Sequence, residues 1–467
     1  MPGLAGFTLG TQAPSEASAT LARMRALLAH GESRYADELF CDERVCTTRT
    51  HTGLVQREPQ PHGESGVRVW LDGEFYNREE LSRSLVNVEV PTSDAALFAA
   101  LYLQDKEFDF LREIDGVYAA VVYDEPRRLV HLVSDRYGLR HLFWTTHAGG
   151  IAWASEVKAM LALPGFEPEI DHATLKDFFE IGNLTDDRSW LEGVRLLPAA
   201  TLLTWRLEER TSNTRRYWGR ESYKPLRGEP DAVELADELG RLFRVAVERR
   251  SRAGERTGLT LSGGLDSRAI LAAMPVREAT LHAVTFGKHG CEDARVAAVA
   301  AAVKSAEHHV CKMGAADWLG PRLEAVWWTD GALDLMHMHV ITMLPGVRTL
   351  FDIALDGLGA NGVIGDSWME HGLSGPFEYV DGRTRRFLIL GPTTVRGFIE
   401  ERFPFLDNRF VELALAAPDR LKEGNALYRM MLLRAFPEFF ERIPWQKTGA
   451  PITWPSPDED GARRSRS

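Results

Sequence analysis

The chain has 467 residues, of which 44% are hydrophobic and 26% are charged, and its formal net charge is −12. Its length exceeds what one hydrophobic core supports, so two or three domains are expected, and its composition excludes a disordered, collagen-like or coiled-coil chain. An acidic chain binds the nucleic acid backbone poorly, and neither a run of ~20 apolar residues nor a basic signal segment is present, so we expect a cytoplasmic protein without nucleic acid or membrane partners.

The first half of the chain, to about residue 206, consists of short β-like runs that alternate with turn residues. The predicted strands are 67–71, 116–123, 129–133, 141–145 and 151–154, and the predicted helices are 94–103 and 156–161. This spacing is typical of stacked antiparallel sheets. Because four cysteines are too few for a disulfide framework, we expect Cys41 and Cys46 to be free thiols.

A polar stretch over 207–231 is predicted to link two domains. A helix is predicted to follow it over 232–248, and the later strands are predicted at 259–261, 280–286, 308–311 and 351–355, each alternating with a helix. Such alternation indicates a parallel sheet with helices on both faces. We therefore expect a first domain over 1–206, a second domain over 232–456 and a polar tail over 457–467.

The strongest chemical signal is the sequence LSGGLDSR at 261–268, where a strand passes through a loop of small residues into a helix. Gly263 and Gly264 let the backbone approach a ligand closely, and the free N–H groups at the start of the helix attract an anion. Asp266 beside a phosphate needs a cation between them, which predicts a Mg²⁺ ligand. The Walker pattern GxxxxGK[ST] is absent, so the segment predicts another kind of pyrophosphate loop.

This loop resembles the pyrophosphate loop of the ATP pyrophosphatase fold, and other motifs resemble the asparagine synthetase superfamily in the same order. They are DGEFYN at 72–77, DGVYA at 115–119, DRYGLR at 135–140, ASEVKA at 154–159 and PFLD at 404–407. The resemblance implies an N-terminal-nucleophile (Ntn) amidotransferase-like domain of stacked antiparallel sheets. It also implies a parallel-sheet ATP pyrophosphatase domain of the adenine nucleotide alpha hydrolase type, with ATP and Mg²⁺ as cofactors.

The resemblance also implies the ligands of the nucleotide and the metal ion. The residues expected to bind ATP or pyrophosphate are Leu261, Ser262, Gly263, Gly264, Asp266, Ser267, Thr285, Phe286, Gly357 and Gly359. The expected metal ligands are Asp266 and Asn361, the latter standing where the family has an aspartate. An amide oxygen is a weaker Mg²⁺ ligand than a carboxylate, and Asp356 and Asp366 are nearby substitutes.

Three residues are expected to act in catalysis. Lys447, in the sequence WQKTGAP, matches a C-terminal lysine of the family that stabilises charge developing on the α-phosphate. Glu400 or Glu401, just before PFLD, is expected to serve as the base for an incoming amine. The alternative for both glutamates is an ordinary surface charge.

Two departures from the family pattern bear on the nucleophile. Pro2 stands where glutamine-dependent members have a nucleophilic cysteine, so the first domain is expected to be a scaffold without glutaminase activity. Leu358 stands where asparagine synthetases have the glutamate that handles the ammonia proton, which argues against ammonia as the nucleophile.

The resemblance is strongest to the lasso-peptide cyclases, which are macrolactam synthetases. Such an enzyme adenylates a carboxylate side chain of a precursor peptide, and the peptide's own α-amine closes an isopeptide ring with release of AMP and pyrophosphate. The implied partners are the precursor peptide, a leader-peptide-binding protein and a leader protease. The alternatives are a β-lactam-synthetase-like or ammonia-dependent asparagine synthetase-like enzyme, and a degenerate scaffold that binds nucleotide without turnover.

Histidines cluster at two places, His308-His309 and His337-Met338-His339. No cysteine or acidic residue completes a zinc spacing around either of them, so ordinary core or surface roles are expected.

Overall fold

A computed structural model describes residues 2–10, 14–30, 35–86, 90–288, 290–314 and 319–453. The chain divides into two compact units. The first unit comprises Met1–Ser222, Leu319–Ile341 and Asp381–Glu400, and the second comprises Tyr223–Trp318, Thr342–Val380 and Glu401–Ser467. Two segments of the range 232–456 thus belong to the first unit. The predicted polar tail, 457–467, lies outside the described residues.

The described residues form strands that we number β1 to β17 in chain order. They are Gly3–Thr8, Tyr35–Ala36, Phe40–Cys41, Val45–His51, Val67–Phe75, Gly116–Asp124, Leu129–Ser134, Phe143–His147, Gly150–Ala154, Arg195–Leu196, Thr201–Arg206, Thr211–Arg216, Thr257–Thr260, His282–Gly287, Glu307–Lys312, Ile353–Leu355 and Glu400–Arg402.

The α-helices of the described residues are numbered α1 to α16. They are Pro14–Leu28, Arg78–Arg83, Asp94–Gln104, His172–Ile181, Ala232–Arg250, Leu265–Ala273, Glu292–Lys304, Gly320–Trp328, Leu344–Leu350, Ala360–Val363, Ser367–Glu370, Pro376–Glu378, Leu390–Val395, Asn408–Ala416, Ala426–Ala435 and Pro437–Phe440. A π-helix covers Tyr379–Leu388, and the boundary between the units falls within it.

The first unit contains two sheets whose recorded strand pairings are antiparallel. One has the order β10-β8-β9-β1-β4-β2, with β3 paired to β4, and the other has the order β12-β11-β7-β6-β5. Apolar side chains of both sheets, including the fully buried Trp70 and Trp153, share one core cluster. The sheets are therefore stacked face to face, as the strand spacing predicts.

The second unit is built around a five-stranded sheet with the order β15-β14-β13-β16-β17. The pairings of β13 with β14, of β13 with β16 and of β14 with β15 are parallel. Parallel neighbours require crossover segments, which the alternating helices provide. The predicted mixed class, with antiparallel sheets first and a parallel sheet second, is confirmed.

Two local predictions differ from the structure. The range 156–161, predicted as an α-helix, is a 3₁₀-helix over Val157–Ala162. Part of the polar range 207–231 forms strand β12, whose six residues are all exposed and pair with β11. An antiparallel edge strand needs only backbone partners on one side, so a polar, exposed sequence suffices there.

The cysteine prediction is wrong for one pair. Cys41 and Cys46 are joined by a disulfide, because the register of β3 and β4 places them directly opposite each other. Cys291 and Cys311 are free. A sequence count of four cysteines excludes a framework of several bridges but leaves a single cross-strand bridge open. Within the described residues, no helix is both long and apolar enough to cross a membrane.

Candidate active site

The loop between β13 and α6 passes at close range to other backbone segments of the second unit. Gly264 is the N-cap of α6 and has extended backbone angles, so no side chain caps the first turn of that helix. A Cβ atom on Gly263 would lie 2.6 Å from the Cβ atom of Gln446. The glycine at 263 is therefore required by a close approach, and the uncapped helix start leaves amide groups for an anion.

The backbone N–H groups of Ser262, Gly263 and Gly264 have acceptors within the chain. Ser262 donates its N–H to Ser267 Oγ at 3.0 Å, and Gly264 donates to Ser262 Oγ at 3.1 Å. Gly263 donates to the carboxylate of Asp293, at the start of α7, at 2.9 Å. A phosphate oxygen and this carboxylate cannot share one N–H, so an anion that binds Gly263 has to displace Asp293.

Two aspartates lie together at the start of α6. Asp266 and Asp356 are close enough for the charge of Asp356 to act on Asp266, and the position of a Cβ atom on Gly357 would be 2.8 Å from Asp266 Cβ. Burial raises the pKa of Asp266 to about 6, and the negative charge of Asp356 acts in the same direction. Burial also raises the pKa of Asp356. In the described chain neither carboxylate forms an ion pair with a basic side chain.

Tyr428, on α15, holds Asp266 in place. Its hydroxyl donates a hydrogen bond to Asp266 Oδ1 at 2.8 Å, and its ring is buried against Phe405. Burial and the charge of Asp266 raise the pKa of Tyr428, so the phenol stays protonated and remains a donor. This bond opposes the rise of the Asp266 pKa and favours the ionised carboxylate.

The donor set fits Mg²⁺. Two buried carboxylates with raised pKa values and no basic partner among the described residues form an oxygen site of the kind that hard cations bind. Asp266 and Asp356 would hold the ion, and it would supply positive charge to neighbouring phosphate oxygens. Asn361, the second predicted metal ligand, is exposed on the short helix α10. Asp366 accepts a hydrogen bond from the Asn425 amide at 3.0 Å.

The two glycines after β16 have different surroundings. Gly357 faces Asp266, where a Cβ atom would collide with that side chain. Gly359 has a φ of 92° and is the N-cap of α10, and a Cβ atom there would lie 2.7 Å from Leu406 of the PFLD segment. Gly357 therefore belongs to the carboxylate pair, whereas Gly359 is required by its backbone conformation and by packing against Leu406.

The predicted catalytic lysine lies in a turn that is attached to the pyrophosphate loop. Trp445 and Ala450 form a β-bridge, and Gln446 donates its backbone N–H to the carbonyl of Gly263 at 3.2 Å. Lys447 is the next residue; its side chain is exposed, with Nζ 5.7 Å from the centre of the Trp445 ring. The turn thus brings an ammonium group next to the loop at 262–264.

Arg268 connects the same turn to helix α6. Its guanidinium donates to the carbonyl of Gly264 at 2.8 Å and to the carbonyls of Ile443 and Pro444 at 3.3 and 3.2 Å. Burial lowers the pKa of Arg268 to about 10, which leaves it charged at neutral pH. A buried cation that satisfies three carbonyls stabilises one arrangement of loop and turn.

The remaining predicted nucleotide ligands lie at the carboxyl end of the parallel sheet. Thr285 donates its hydroxyl to the carbonyl of Leu261 at 2.6 Å and also contacts His308 Nε2 at 2.8 Å. Leu261 and Thr285 are buried, and Phe286 is partly buried. These residues form the wall behind the loop, because the ends of β13 and β14 lie side by side.

The two predicted base candidates differ in environment. Glu400 belongs to the first unit, where the Arg140 guanidinium donates to its carboxylate at 2.6 Å. Glu401 belongs to the second unit and is 7% exposed. Because consecutive strand residues point to opposite faces, only one of the two can face a given site.

A buried ion pair lies next to Pro2 at the start of β1. The carbonyl of Pro2 accepts a hydrogen bond from Arg396 Nη1 at 3.3 Å, and Arg396 Nη2 donates to both carboxylate oxygens of Asp72 at 2.7 and 2.9 Å. Burial raises the pKa of Asp72, but the charges of Arg396, Arg140 and Arg49 and the hydrogen bond from Arg396 together hold this pKa below its ordinary value. The residue that begins the described part of the first unit, Pro2, is thus held by a hydrogen bond from a buried arginine that is paired with Asp72.

Sequence reasoning missed three contributors, Asp293, Tyr428 and Arg268. The sequence contains a weak indication of Asp293. It lies in the first turn of α7, which follows the parallel strand β14 and therefore begins at the same sheet edge as the loop at 262–264. Tyr428 and Arg268 carried none, because each acts through a partner that lies many positions away in the chain.

Two sequence models of known families match this chain. A glutamine amidotransferase domain matches residues 1–218, and asparagine synthase matches residues 238–371. The first match covers both stacked antiparallel sheets. The second covers β13 to β16, the pyrophosphate loop and the carboxylate pair.

Curated relatives carry names of the same kind. A Mycobacterium bovis protein provisionally named a glutamine-hydrolysing asparagine synthetase is 27% identical over 349 residues, which are 72% of this chain and 53% of that protein. Asparagine synthetase (glutamine-hydrolysing) 3 of Bacillus subtilis is 32% identical over 238 residues, which are 50% of this chain and 38% of that protein. The chain spans about half the length, or less, of these relatives.

Among solved structures, the allosteric regulatory enzyme of purine biosynthesis aligns with 66% of this chain and 80% of its own, with a TM-score of 0.34 and 13% sequence identity.

Proposed function

We propose that this chain, which is similar to asparagine synthetases, is an ATP-dependent ligase that forms an amide bond. A substrate carboxylate oxygen attacks the α-phosphorus of ATP, the bond between the α- and β-phosphates breaks, and pyrophosphate leaves. An amine nitrogen then attacks the acyl carbon, the bond to AMP breaks, and a base accepts the amine proton. ATP and Mg²⁺ are the required cofactors.

The observation that carries this proposal is the pair Asp266 and Asp356 at an uncapped helix start. Burial and the charge of Asp356 raise the pKa of Asp266 to about 6, an arrangement that a bound cation relieves. Asp266 is anchored by Tyr428, so the carboxylate is positioned before a ligand arrives. A metal site beside free helix amides is the combination that binds Mg²⁺ and a polyphosphate together.

Lys447 supplies the charge that the breaking bonds require. Its turn is bonded to the loop through Gln446 and Gly263, and its ammonium group is exposed to an incoming ligand. In this proposal the lysine is drawn to the α-phosphate oxygens as negative charge grows in the transition state. Glu400 or Glu401, both of them buried, is the proposed base.

The amine is proposed to come from the substrate itself rather than from glutamine or ammonia. Pro2 precedes Gly3 of β1 at the position of the family's cysteine, and the Arg396–Asp72 pair occupies the space beside it. Leu358, whose N–H binds Asp356 Oδ1 at 2.8 Å, brings an apolar side chain to the loop where the family has a proton-handling glutamate. These features support a lasso-peptide cyclase, which closes a macrolactam in a precursor peptide.

A cyclase of this kind needs other components. A precursor peptide with a leader segment requires a leader-peptide-binding protein to present it and a leader protease to free the amine. We propose both as partners, and no nucleic acid partner is proposed for a chain with a net charge of −12.

A second candidate is supported by the names of the relatives, which are asparagine synthetases. In that case aspartate is adenylated and ammonia is the nucleophile. The two candidates share the ATP and metal chemistry and differ only in the acyl and amine substrates.

The test uses the full chain with ATP, Mg²⁺ and the precursor peptide encoded beside its gene. We expect exchange of labelled pyrophosphate into ATP and, after leader removal, a peptide lighter by one water. Release of asparagine from aspartate and ammonia would favour the second candidate, and glutamate release from glutamine would contradict the role given to Pro2. A chain that binds ATP but shows no exchange with either substrate set would be a nucleotide-binding scaffold.

A further inference from the structure

A histidine-rich cluster lies in the second unit, away from the residues that the proposed reaction uses. His282, the first residue of β14, has its Nδ1 atom 3.0 Å from Nε2 of His309 on β15. Glu307, the first residue of β15, has one carboxylate oxygen 3.6 Å from His282 Nδ1 and the other 3.6 Å from His309 Nε2. Two imidazoles and a carboxylate thus converge on one point.

Strand register explains why these side chains meet. His282 is the direct partner of Glu307 in the parallel pairing of β14 and β15. His309 lies two residues after Glu307, and side chains at that interval point to the same face of a sheet. His308 between them points to the other face, where it contacts Thr285. The sequence alone shows Glu-His-His, and the pairing of the strands adds His282.

The distances agree with the coordination of a small divalent metal ion. In a tetrahedral zinc site with bonds of about 2.0–2.1 Å, neighbouring ligand atoms are about 3.3 Å apart. The three separations here, 3.0, 3.6 and 3.6 Å, lie on both sides of that value. Imidazole nitrogen is a donor that Zn²⁺, Cu²⁺ and Ni²⁺ accept and that Mg²⁺ disfavours.

We propose that His282, Glu307 and His309 form a binding site for a divalent transition-metal ion, and that Zn²⁺ is the ion it fits best. The side chains of His282 and His309 are 23% and 26% exposed, so an ion enters from solvent without a change of fold. Three protein ligands leave the fourth position of a tetrahedron for water. Within the described residues no other group of three such side chains converges in this way.

This site is separate from the proposed Mg²⁺ site. His282 and Glu307 begin their strands, whereas Thr285 and the pyrophosphate loop lie toward the carboxyl end of the sheet. Thr285 is three residues after His282 in β14, which is roughly 10 Å along the strand. The ion would tie edge strand β15 to β14 and thereby stabilise the edge of the sheet on which the nucleotide-binding loops are built.

The test is metal titration of the full chain carrying no histidine tag. The protein is stripped with a chelator, kept in millimolar Mg²⁺ to occupy the ATP-linked site, and titrated with Zn²⁺ by calorimetry. We expect one equivalent to bind with a dissociation constant of about 1 µM or lower and the melting temperature to rise. Co²⁺ in place of Zn²⁺ is expected to show the visible absorption of a tetrahedral complex.

The variants His282→Gln and His309→Gln are each expected to weaken Zn²⁺ binding at least about 100-fold, since even a change outside the ligand shell costs 10–100-fold in metal affinity. His308→Gln is the matched control, because it removes an imidazole from the same strand on the opposite face. It is expected to keep the bound equivalent.

The proposal is overturned if the wild-type chain binds no equivalent of Zn²⁺. It is also overturned if either His282→Gln or His309→Gln binds Zn²⁺ as tightly as the wild type. Circular dichroism of the metal-free variants checks that the sheet is intact. Should both variants fail to fold, the Co²⁺ spectrum of the wild type decides, since a purely octahedral, weakly absorbing spectrum contradicts the proposed tetrahedral site.

Discussion

Buried charge is handled in opposite ways in two regions of this molecule. At the start of β1, Arg396 is paired with Asp72 at 2.7 Å, and nearby in the same unit Arg140 is paired with Glu400 at 2.6 Å. At the start of α6, Asp266 and Asp356 lie together without a basic partner, and their pKa values are raised. In the first region each buried negative charge is balanced by an arginine of the chain, whereas the second region would be stabilised by a bound cation.

This difference separates a structural role from a functional one. A buried ion pair contributes little net stability, but each partner becomes necessary once the other is present. A pair of like charges is retained only where a ligand offsets the repulsion, which is why perturbed carboxylates mark binding sites. The first unit, which matches a glutamine amidotransferase model, has a buried ion pair at the start of β1, whereas the second has the carboxylates that we propose bind Mg²⁺.

Removing one carboxylate from the unpaired region should have the largest effect. Asp266→Ala is expected to reduce ATP–pyrophosphate exchange to background, because the metal loses a principal ligand, while the fold is kept. Exchange of labelled pyrophosphate at saturating Mg²⁺ measures this. Asp237→Ala, an exposed aspartate paired with Arg434, is the control and should exchange normally. If Asp266→Ala exchanged pyrophosphate at the wild-type rate, the carboxylate pair would have no role in binding the metal ion.

Removing one partner of the Arg396–Asp72 ion pair should lower the free energy of unfolding and leave the exchange activity unchanged. Arg396→Ala leaves Asp72 buried without its cation, which is expected to lower the free energy of unfolding by about 3–5 kcal/mol. Denaturant unfolding measures the loss, and exchange activity per folded molecule should be unchanged. The double variant Asp72→Asn/Arg396→Met removes both charges and should recover much of the stability. Equal instability of the single and double variants would contradict the charge-pair explanation.

A substitution of Lys447, in the turn between Trp445 and Ala450, tests whether its positive charge acts in the transition state. Lys447→Ala is expected to lower kcat by ~10²–10³, equivalent to about 2.7–4 kcal/mol, with a smaller change in KM for ATP. Ring closure followed by mass spectrometry under single-turnover conditions gives the rate. The exposed Lys224→Ala serves as the control for a lost surface charge. A near wild-type kcat for Lys447→Ala would transfer the role to another cation.

The smallest effect concerns a neutral histidine of the first unit. Burial lowers the pKa of His131 to about 3 from 6.5. The unfolded chain therefore binds an extra proton between these values, and stability falls as pH is lowered through this window. Between pH 7 and pH 5 the loss from this group is about 2 kcal/mol.

His131→Gln should flatten this pH dependence relative to wild type, as measured by unfolding at both pH values. The exposed His172→Gln should leave it unchanged. Because Asp135 has its pKa raised to about 6 by burial and acts in the opposite sense, the difference between variant and wild type is the quantity to compare. A slope identical to wild type in His131→Gln would show that the buried imidazole is not kept neutral by the fold.

Local sequence already determined most of the strand positions, the order of the two kinds of sheet, and the loop at 261–268. These follow from alternation of apolar residues, from turn residues and from glycines, which act over a few positions. The family resemblance also pointed to Asp266 and Lys447. It did not distinguish Glu400 from Glu401, because the two are identical neighbouring residues in the sequence. In the structure Glu400 belongs to the first unit, where it binds Arg140, and Glu401 belongs to the second unit.

Only the tertiary structure decided which distant residues complete each cluster. Asp356 rather than the exposed Asn361 accompanies Asp266, Tyr428 anchors it, and Asp293 occupies an amide of the loop. The register of β14 and β15 brings His282 to Glu307 and His309. Periodicity along one segment specifies which face a side chain takes, but the neighbour it meets is set by strand pairing and helix packing across the whole chain, and these carry no local signal.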